Sequence, residues 1–337
     1  MAKAKIENID WYRDEAAAAR GEPGIYHSYL SALATALKHV AGELDAVRLM
    51  GGSAFAFRIF AHELMCPSAM SVFNWSEILP EAVEQMGYQC GYISRLWHEG
   101  AVAREKRDRA HHMLVEAVAR EVPGVVWDIA DAEWGLVTGY DDERQLYETL
   151  THRGQEASLP YTKLGRNGID ILSVVVPGEP NGRPEDEIVV RSLRKAIVHA
   201  EQKEWMERPA YQDGPPAYDL WALLYDRWAQ IVEAGKSDNI DVDIHKHSVY
   251  YAGHHYAARC YAREYLRRIA GGDETLEKAA DVYARVAEYL RPTWEFQPEG
   301  KEADPDVLRG LSETIRAAKA AEEEGLDHIR EYTRQKV

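Results

Sequence analysis

The chain has 337 residues, of which 46% are hydrophobic and 10% aromatic, and its formal net charge is −16. This length is enough for two domains, and the composition is that of a globular protein. The excess of carboxylates argues against nucleic acid and anionic membrane surfaces as partners, because both attract Lys and Arg. The N-terminal residues lack the apolar segment of a secretory signal. No apolar run approaches the roughly 18 residues of a membrane-spanning helix. We therefore expect a cytoplasmic protein.

The N-terminal part favours helices. Residues 1–20 are assigned to an N-terminal helical extension. Apolar residues then recur at intervals of three and four from Tyr26 to Val40, which predicts an amphipathic helix. The stretches SAFAFRIFAHEL and EILPEAVEQMGY predict a second and a third helix.

Five short segments rich in Val, Ile, Tyr and Trp come next, punctuated by Gly and Asp. They are QCGYISRLW, GVVWDIA, EWGLVTGYDD, RQLYETL and IDILSVVV. Most of the connections between them are too short for a crossover helix, which predicts one antiparallel sheet. Residues 139–142, Gly-Tyr-Asp-Asp, predict a tight turn.

The composition changes at residues 174–187, VVVPGEPNGRPEDE, which indicates a domain boundary. Five long segments after it carry helical periodicity, and several end in Gly or Pro. The prediction is an α+β protein: a domain over residues 21–180 with an antiparallel sheet, followed by an all-helical domain over residues 181–337.

Three motifs in this order resemble a known family. Gly-x-Tyr-His-Ser opens the first predicted helix at residues 24–28, LMGGSAFAFRI occupies residues 49–59, and EWGLVTGYDDE occupies residues 133–143. Over residues 21–176 the pattern is similar to the butirosin biosynthesis protein H N-terminal-like family of the papain-like, C39-peptidase-like superfamily. The resemblance implies a papain-like fold for this part and extends to the helical C-terminal part of relatives.

The resemblance also implies a site. In that family a cysteine begins the first helix and a histidine stands at the start of a later strand, just before a Gly-Tyr-Asp turn. Some members cleave peptides and others transfer acyl groups. A helix N-terminus favours a thiolate because of its positive dipole end. Here Ser28 falls where the cysteine belongs, and the second motif offers Glu133, Trp134 and no histidine. The Cys/His pair is therefore missing.

Ser28 has two interpretations. As a nucleophile it needs a general base within hydrogen-bond reach, because an alcohol ionises far less readily than a thiol. His27 is a poor base for it, since adjacent residues on a helix do not face each other, and Glu133 is the remaining candidate. Alternatively, Ser28 caps its own helix and Glu133 is a solvated acid.

Five further residues are candidates for ligand binding. An arginine in apolar surroundings, such as Arg58, can clamp a carboxylate or form a structural ion pair. Tryptophans such as Trp134 can line a cleft or fill a core. The candidates are His27, Tyr29, Arg58, Trp134 and Tyr140.

Two other groups favour structural interpretations. His62 and Cys66 would share a helix face, but Pro67 makes that helix doubtful. The stretch DVDIHKHSVYYAGHH, residues 241–255, contains His245, His247, His254 and His255 without the spacing of a helical metal site. We expect these histidines to pack against aromatic residues or to face the other domain. No nucleotide-binding motif occurs, and we predict neither a metal nor a cofactor.

The function that follows is non-catalytic. A degenerate papain-like protein would bind a small molecule, peptide or acyl group in its former active-site cleft. The first alternative is an amide hydrolase or acyltransferase that uses Ser28 or another nucleophile, with backbone amides stabilising the oxyanion. The second alternative is a homo-oligomeric structural or assembly protein.

Overall fold

A computed structural model describes residues 2–201, 210–236, 242–296 and 304–336, apart from the side chains of residues 242, 243 and 245. These residues form two compact units. The sheet unit consists of Met1–Glu15, Ile25–Leu49 and Trp75–Arg183, and the helical unit of Ala16–Gly24, Met50–Asn74 and Pro184–Val337. Two N-terminal segments thus pack with the C-terminal helices. The division into domains at residues 21–180 and 181–337 stays a prediction.

The secondary structure mixes helices and strands. In chain order the elements are β1 (Lys3–Lys5), α1 (Glu15–Ala19), α2 (Ser28–Ala41), α3 (Ala46–Gly52), β2 (Phe60–His62), α4 (Trp75–Gln85), β3 (Tyr88–Arg95), α5 (Ala103–Ala119), β4 (Gly124–Trp127), β5 (Trp134–Asp141), β6 (Leu146–Leu150), β7 (Glu156–Pro160), β8 (Leu172–Pro180), α6 (Glu185–Ala200), β9 (Tyr211–Asp213), α7 (Pro215–Glu233), α8 (Val242–Ala270), α9 (Glu274–Glu295) and α10 (Pro305–Gln335). Within the described part of the chain, no helix has the length and apolarity required to cross a bilayer.

The sheet unit contains the predicted antiparallel sheet. Its strand order is β3-β8-β4-β5-β6-β7, with β1 also paired to β5, and every pairing is antiparallel. All five predicted strand segments belong to it. Strands β1 and β7 were not predicted, because KAK and EASLP are short and carry little apolar character. Residues 1–20 are therefore not purely helical, since β1 pairs with the end of β5.

A β-bulge in β5 decides which side chains share a face. The pairing of β5 with β6 shifts register between Val137 and Gly139. Because an extra residue reverses the alternation of side chains, Val137 and Tyr140 both join the core that includes Leu114 of α5. Trp134 contacts Tyr29 of α2 instead. The strand also continues to Asp141, so the predicted turn at residues 139–142 is wrong, and the turn follows at residues 142–145.

Helices cover both faces of this sheet. Helix α2 packs on β4 and β5, and the hydroxyl of Tyr29 donates to the carbonyl of Leu79 in α4. Helix α5 packs on the opposite face and was not predicted. Its sequence, AREKRDRAHHMLVEAVA, is mostly polar, and its buried residues are confined to Ala110, Leu114, Ala117 and Val118. A stripe this narrow is a weak signal in a sequence.

The helical unit contains the five predicted C-terminal helices, α6 to α10. Two predictions for this unit are wrong. SAFAFRIFAHEL is not a helix, because Ala54 takes a left-handed conformation (φ 63°) and the chain continues through a short 3₁₀ turn into β2. Residues 181–337 are not all helical, because β9 pairs with β2. Strand β9 has only three residues, which is too few for the alternation of side chains that identifies a strand in a sequence.

A buried ion pair joins three helices of the helical unit. The Arg259 guanidinium of α8 donates to both carboxylate oxygens of Glu322 in α10, at 2.8 Å and 2.6 Å. The Tyr218 hydroxyl of α7 donates to the same carboxylate, and Arg259 also donates to the carbonyl of Arg58. Arg259 is 0% exposed and Glu322 is 3% exposed. Removing one charge would leave the other buried without its partner.

We predict that Glu322→Gln lowers the free energy of unfolding by about 3–5 kcal/mol, because the Arg259 charge then stays buried without compensation. The matched control is Glu324→Gln, which breaks a 2.7 Å pair with Arg285 between half-exposed side chains. That control should change stability by only about 0–1 kcal/mol. Urea unfolding of both variants is the measurement, and equal losses would contradict the prediction.

Candidate functional site

The connection between β4 and β5 is held in place by Asp128. This residue is 2% exposed and has a positive φ of 60°. Its carboxylate accepts hydrogen bonds from the amides of Gly168 and Ile169, at 2.6 Å and 2.7 Å. A carboxylate that accepts two backbone amides fixes a turn firmly, because charged acceptors form stronger hydrogen bonds. Residues 129–133 therefore leave β4 along a defined path towards the start of β5.

Helix α2 begins at Ser28, but Ser28 does not cap it. The N-cap is His27, whose Nδ1 accepts from the amide of Tyr29 at 3.2 Å and whose carbonyl accepts from the amide of Ser31 at 2.9 Å. The interpretation of Ser28 as the N-cap is therefore wrong, because the chain enters the helix one residue earlier. His27 itself is occupied by the backbone of its own helix.

The hydroxyl of Ser28 instead contacts the residues before and at the start of β5. It donates to Oε2 of Glu133 over 2.5 Å, which is short for a hydrogen bond. It also lies 3.4 Å from the amide nitrogen of Trp134, which donates to it. Ser28 and Glu133 are each partly exposed. The structure thus brings together three of the predicted site residues: Ser28, Glu133 and Trp134.

Burial raises the pKa of Glu133, since a desolvated carboxylate is less stable than a solvated one. The hydrogen bond from Ser28 and the nearby His152 both act to lower that pKa, and the charge of Asp131 raises it. The imidazole Nδ1 of His152 lies 3.2 Å from Oδ1 of Asp131. A carboxylate with a raised pKa is a somewhat stronger base than an ordinary glutamate.

His152 was not among the predicted site residues, because it lies outside the EWGLVTGYDDE motif, nine residues after its last residue. It lies in the turn between β6 and β7. Strands β5 and β6 form a hairpin, so the end of β6 returns to the start of β5, as the pairing of Leu136 with Leu150 shows. The short spacing between EWGLVTGYDD and RQLYETL was the available signal, because it predicts a hairpin. In such a hairpin, residues 151–153, which include His152, return to the neighbourhood of Glu133.

Trp134 is the first residue of β5 and is buried. Its side chain is 1% exposed. Its ring packs against Tyr29, Trp75 and Trp127, with centroid distances of 5.1, 5.0 and 5.3 Å. Neither Trp134 nor Trp127 has a partner for its indole nitrogen among the described residues. This aromatic cluster (Tyr29, Trp75, Trp127 and Trp134) forms the core beneath Ser28.

The other predicted ligand-binding residues lie in well-packed surroundings. Tyr29 is 0% exposed, and Tyr140 lies in the core on the face of the sheet that α5 covers. Arg58 belongs to the helical unit, where its guanidinium lies 4.6 Å from the Phe55 ring centroid and donates to the carbonyl of Ser53 at 3.1 Å. Ligand-binding roles for these residues stay predictions, and their packing accounts for their burial without a ligand.

The pair of His62 and Cys66 does not share a helix face, because His62 ends strand β2 and Cys66 precedes a 3₁₀ turn. Nδ1 of His62 accepts from the amide of Leu64 at 3.1 Å. The Cys66 thiol lies 3.0 Å from the hydroxyl of Ser68. Among the contacts of the described residues, none joins the Cys66 thiol to the His62 imidazole.

The histidine-rich stretch at residues 241–255 is described in part. Residue 241 and the side chains of residues 243 and 245 lie outside the described residues. The ring of His254 packs at a tilt against Tyr250, with the two centroids 4.4 Å apart. The ring centroid of His255 lies 5.0 Å from that of Trp221, and its Nε2 lies 2.9 Å from the carbonyl oxygen of Phe60. The prediction that these histidines pack against aromatic residues is confirmed for these two. Over the described residues, no group of three or more His, Cys, Asp or Glu side chains is placed to hold a metal ion.

Comparison with known proteins gives no match, either to a family model or to a curated protein. The resemblance to the butirosin biosynthesis protein H N-terminal-like family therefore stays a prediction. What the sheet unit shows by itself is an antiparallel sheet between helices, with a serine at the start of one helix bonded to a glutamate beside the start of a strand.

We predict that Glu133→Gln changes how stability depends on pH. Because the pKa of Glu133 is raised on folding, the folded chain binds this proton more tightly than the unfolded chain. Its contribution to stability therefore falls as the pH rises from the ordinary value of 4.5 through the folded pKa. A glutamine cannot ionise, so the free energy of unfolding of Glu133→Gln relative to the wild type should increase between about pH 4 and pH 7.

Urea unfolding at several pH values measures this difference. Glu143→Gln is the matched control, because Glu143 is an exposed glutamate in the turn after β5. The difference between that control and the wild type should vary much less with pH. Parallel pH profiles for the wild type and Glu133→Gln would show that Glu133 is not desolvated in the folded chain.

Proposed function

We propose that residues 21–180 form a papain-like domain that has lost its catalytic pair and binds a small molecule, peptide or acyl group beside Ser28. The placement of the elements supports this proposal. Ser28 is the first residue of α2 and Trp134 is the first residue of β5, and the two are in contact. The family that the sequence resembles places its cysteine and histidine at these two points of the fold.

One observation carries the non-catalytic interpretation: the Ser28 hydroxyl is bonded to a carboxylate, and an indole lies where an imidazole is expected. A carboxylate is a weak base towards an alcohol, because its conjugate acid is many orders of magnitude more acidic than serine. The proton therefore stays on Ser28. The hydrogen bond then fixes the start of α2 to the start of β5 and gives this corner of the sheet unit a stable shape.

Ser28 and Glu133 are the parts of this corner that a ligand can reach. Both are partly exposed, whereas Trp134 beneath them is buried. Trp75 of the aromatic cluster is also partly exposed. A ligand with an amide or acyl group can accept from the hydroxyl or donate to the carboxylate while its apolar part covers an indole face.

The second candidate is an amide hydrolase or acyltransferase with Ser28 as nucleophile and Glu133 as base. The 2.5 Å contact between the two side chains favours it, because a base must reach the proton that it removes. The raised pKa of Glu133 also acts in this direction. The third candidate, a homo-oligomeric assembly protein, stays a prediction, because the described contacts do not bear on it. The cytoplasmic location stays a prediction for the same reason.

We predict that a fluorophosphonate probe leaves Ser28 unmodified, because the hydroxyl lacks a base strong enough to activate it. Intact-mass analysis of the wild type and of Ser28→Ala measures the reaction. Serine hydrolases react with such probes through their nucleophile. A wild-type adduct that Ser28→Ala lacks would overturn the non-catalytic proposal and establish the second candidate.

The binding part of the proposal is tested by thermal unfolding with N-acetyl amino-acid amides and tripeptides. A compound that binds should raise the melting temperature with the logarithm of its concentration above the dissociation constant. Ser28→Ala should keep most of this shift, because no covalent bond is made, whereas Glu133→Ala should weaken it. A panel without any shift, together with an unmodified Ser28, would contradict the proposal.

A further inference from the structure

One face of helix α8 holds another segment of the helical unit by its backbone. Tyr251, His255 and Arg259 follow one another at intervals of four residues, so their side chains lie along one face of the helix. All three are buried, and all three bond to main-chain groups of the β2 segment (residues 57–66). The segment contains strand β2 and belongs to the helical unit. None of these residues belongs to the Ser28 site.

Arg259 and His255 bond to the first half of the β2 segment. The Arg259 guanidinium donates to the carbonyl of Arg58 and, at 3.5 Å, to that of Phe57. Nε2 of His255 lies 2.9 Å from the carbonyl oxygen of Phe60. Because a carbonyl only accepts, the proton of the neutral imidazole is on Nε2, and a second proton must go to Nδ1.

Tyr251 bonds to the second half of the β2 segment. Its hydroxyl accepts from the amide of His62 at 3.0 Å and donates to the carbonyl of Cys66 at 3.0 Å. Within the described residues, strand β2 pairs with β9 over three residues. The tip of the segment is exposed, since Leu64 is 71% exposed. The segment therefore depends on α8 for much of its hydrogen bonding.

The three side chains of α8 respond differently to acid. An arginine stays charged and a tyrosine stays neutral at every pH below about 9, so Arg259 and Tyr251 keep their hydrogen bonds. His255 can gain a charge, but it is 1% exposed and contacts no carboxylate among the described residues. In contrast, Nδ1 of His199 lies 4.0 Å from Oδ2 of Asp213. A charge on His255 would therefore be buried without a counter-ion.

The other ionisable groups near this face of α8 do not supply that counter-ion. They are His199 of α6, Tyr218 of α7, Tyr283 of α9, Asp213 of β9, Glu322 of α10 and His62 of β2. Glu322 is paired with Arg259, and Asp213 lies beside His199. Both carboxylates thus face other basic groups.

We propose that His255 makes the attachment of the β2 segment sensitive to acid, so that protonation of its imidazole frees residues 60–66 from α8 while the contacts of Arg259 remain. Burial lowers the pKa of His255 well below its ordinary value of 6.5, and the charges of Arg259 and His199 lower it further. The hydrogen bond to Phe60 acts in the opposite direction. The closed form therefore excludes a proton that the open form binds, and a falling pH favours the open form.

Hydrogen–deuterium exchange of the full chain, followed by mass spectrometry, measures this opening. Protection factors, taken relative to the unfolded chain at the same pH, are compared at about pH 7.5 and about pH 5 for peptides from β2 and from α9. An imidazole of pKa 6.5 that is protonated only in the open form raises the equilibrium constant for opening about thirtyfold over this range. We expect β2 to lose protection by about that factor and α9 to change much less.

Two variants separate His255 from other causes of acid sensitivity. His255→Gln cannot gain a charge, and its side-chain amide can still donate to the carbonyl of Phe60. In this variant the loss of protection in β2 should shrink to about threefold or less. His62→Gln is the matched control, because it makes the same substitution at a partly exposed histidine of the β2 segment. Burial also lowers the pKa of His62, but solvent reaches that imidazole in the closed form, so most of the wild-type loss should remain.

The proposal is overturned if β2 of the wild type loses no more protection than α9 does, or if His255→Gln loses as much as the wild type. It is also overturned if His62→Gln removes the loss. Should His255→Gln fail to fold, the comparison of β2 with α9 in the wild type and in His62→Gln decides by itself.

Discussion

Strand β5 is the constraint on which the sheet unit depends. All eight of its residues are buried, so each backbone N–H and C=O group needs a partner within the protein. Strands β4 and β1 pair with successive parts of one edge, and β6 pairs with the other. The bulge after Val137 then directs Tyr140 into one core and leaves Trp134 in the other. The Ser28 site lies at one end of this strand.

The chemistry at Ser28 follows from what surrounds it. A helix start and a strand start meet there, as in an enzyme that activates a nucleophile, but the base that touches the hydroxyl is a carboxylate. The aromatic cluster beneath it needs Trp134 for packing, and an imidazole in the same place would leave much of that volume unfilled. Trp134 therefore contributes to the core beneath Ser28, and the group that touches the Ser28 hydroxyl is Glu133.

Several features of the fold were predictable because they depend on local patterns. The apolar periodicity from Tyr26 to Val40 identified α2, and runs rich in Val and Trp identified five strands of the sheet. The features that were missed depend on distant partners. Strand β1 exists because it completes the edge of β5, and α5 has only a narrow buried stripe. The left-handed residue Ala54 ends a helix that the apolar sequence around it would have continued.

For the candidate site, the sequence by itself determined which groups are available: a serine at a helix start, no cysteine beside it, and an acid and an indole at the start of a later strand. Only the tertiary structure decided what these groups do to one another. His27 caps α2, which frees the Ser28 hydroxyl to bond Glu133 at a separation of 105 residues. Hydrogen bonds form between neighbours in space, and a hairpin and a bulge determined those neighbours here, bringing His152 near Glu133 and turning Tyr140 away from Ser28.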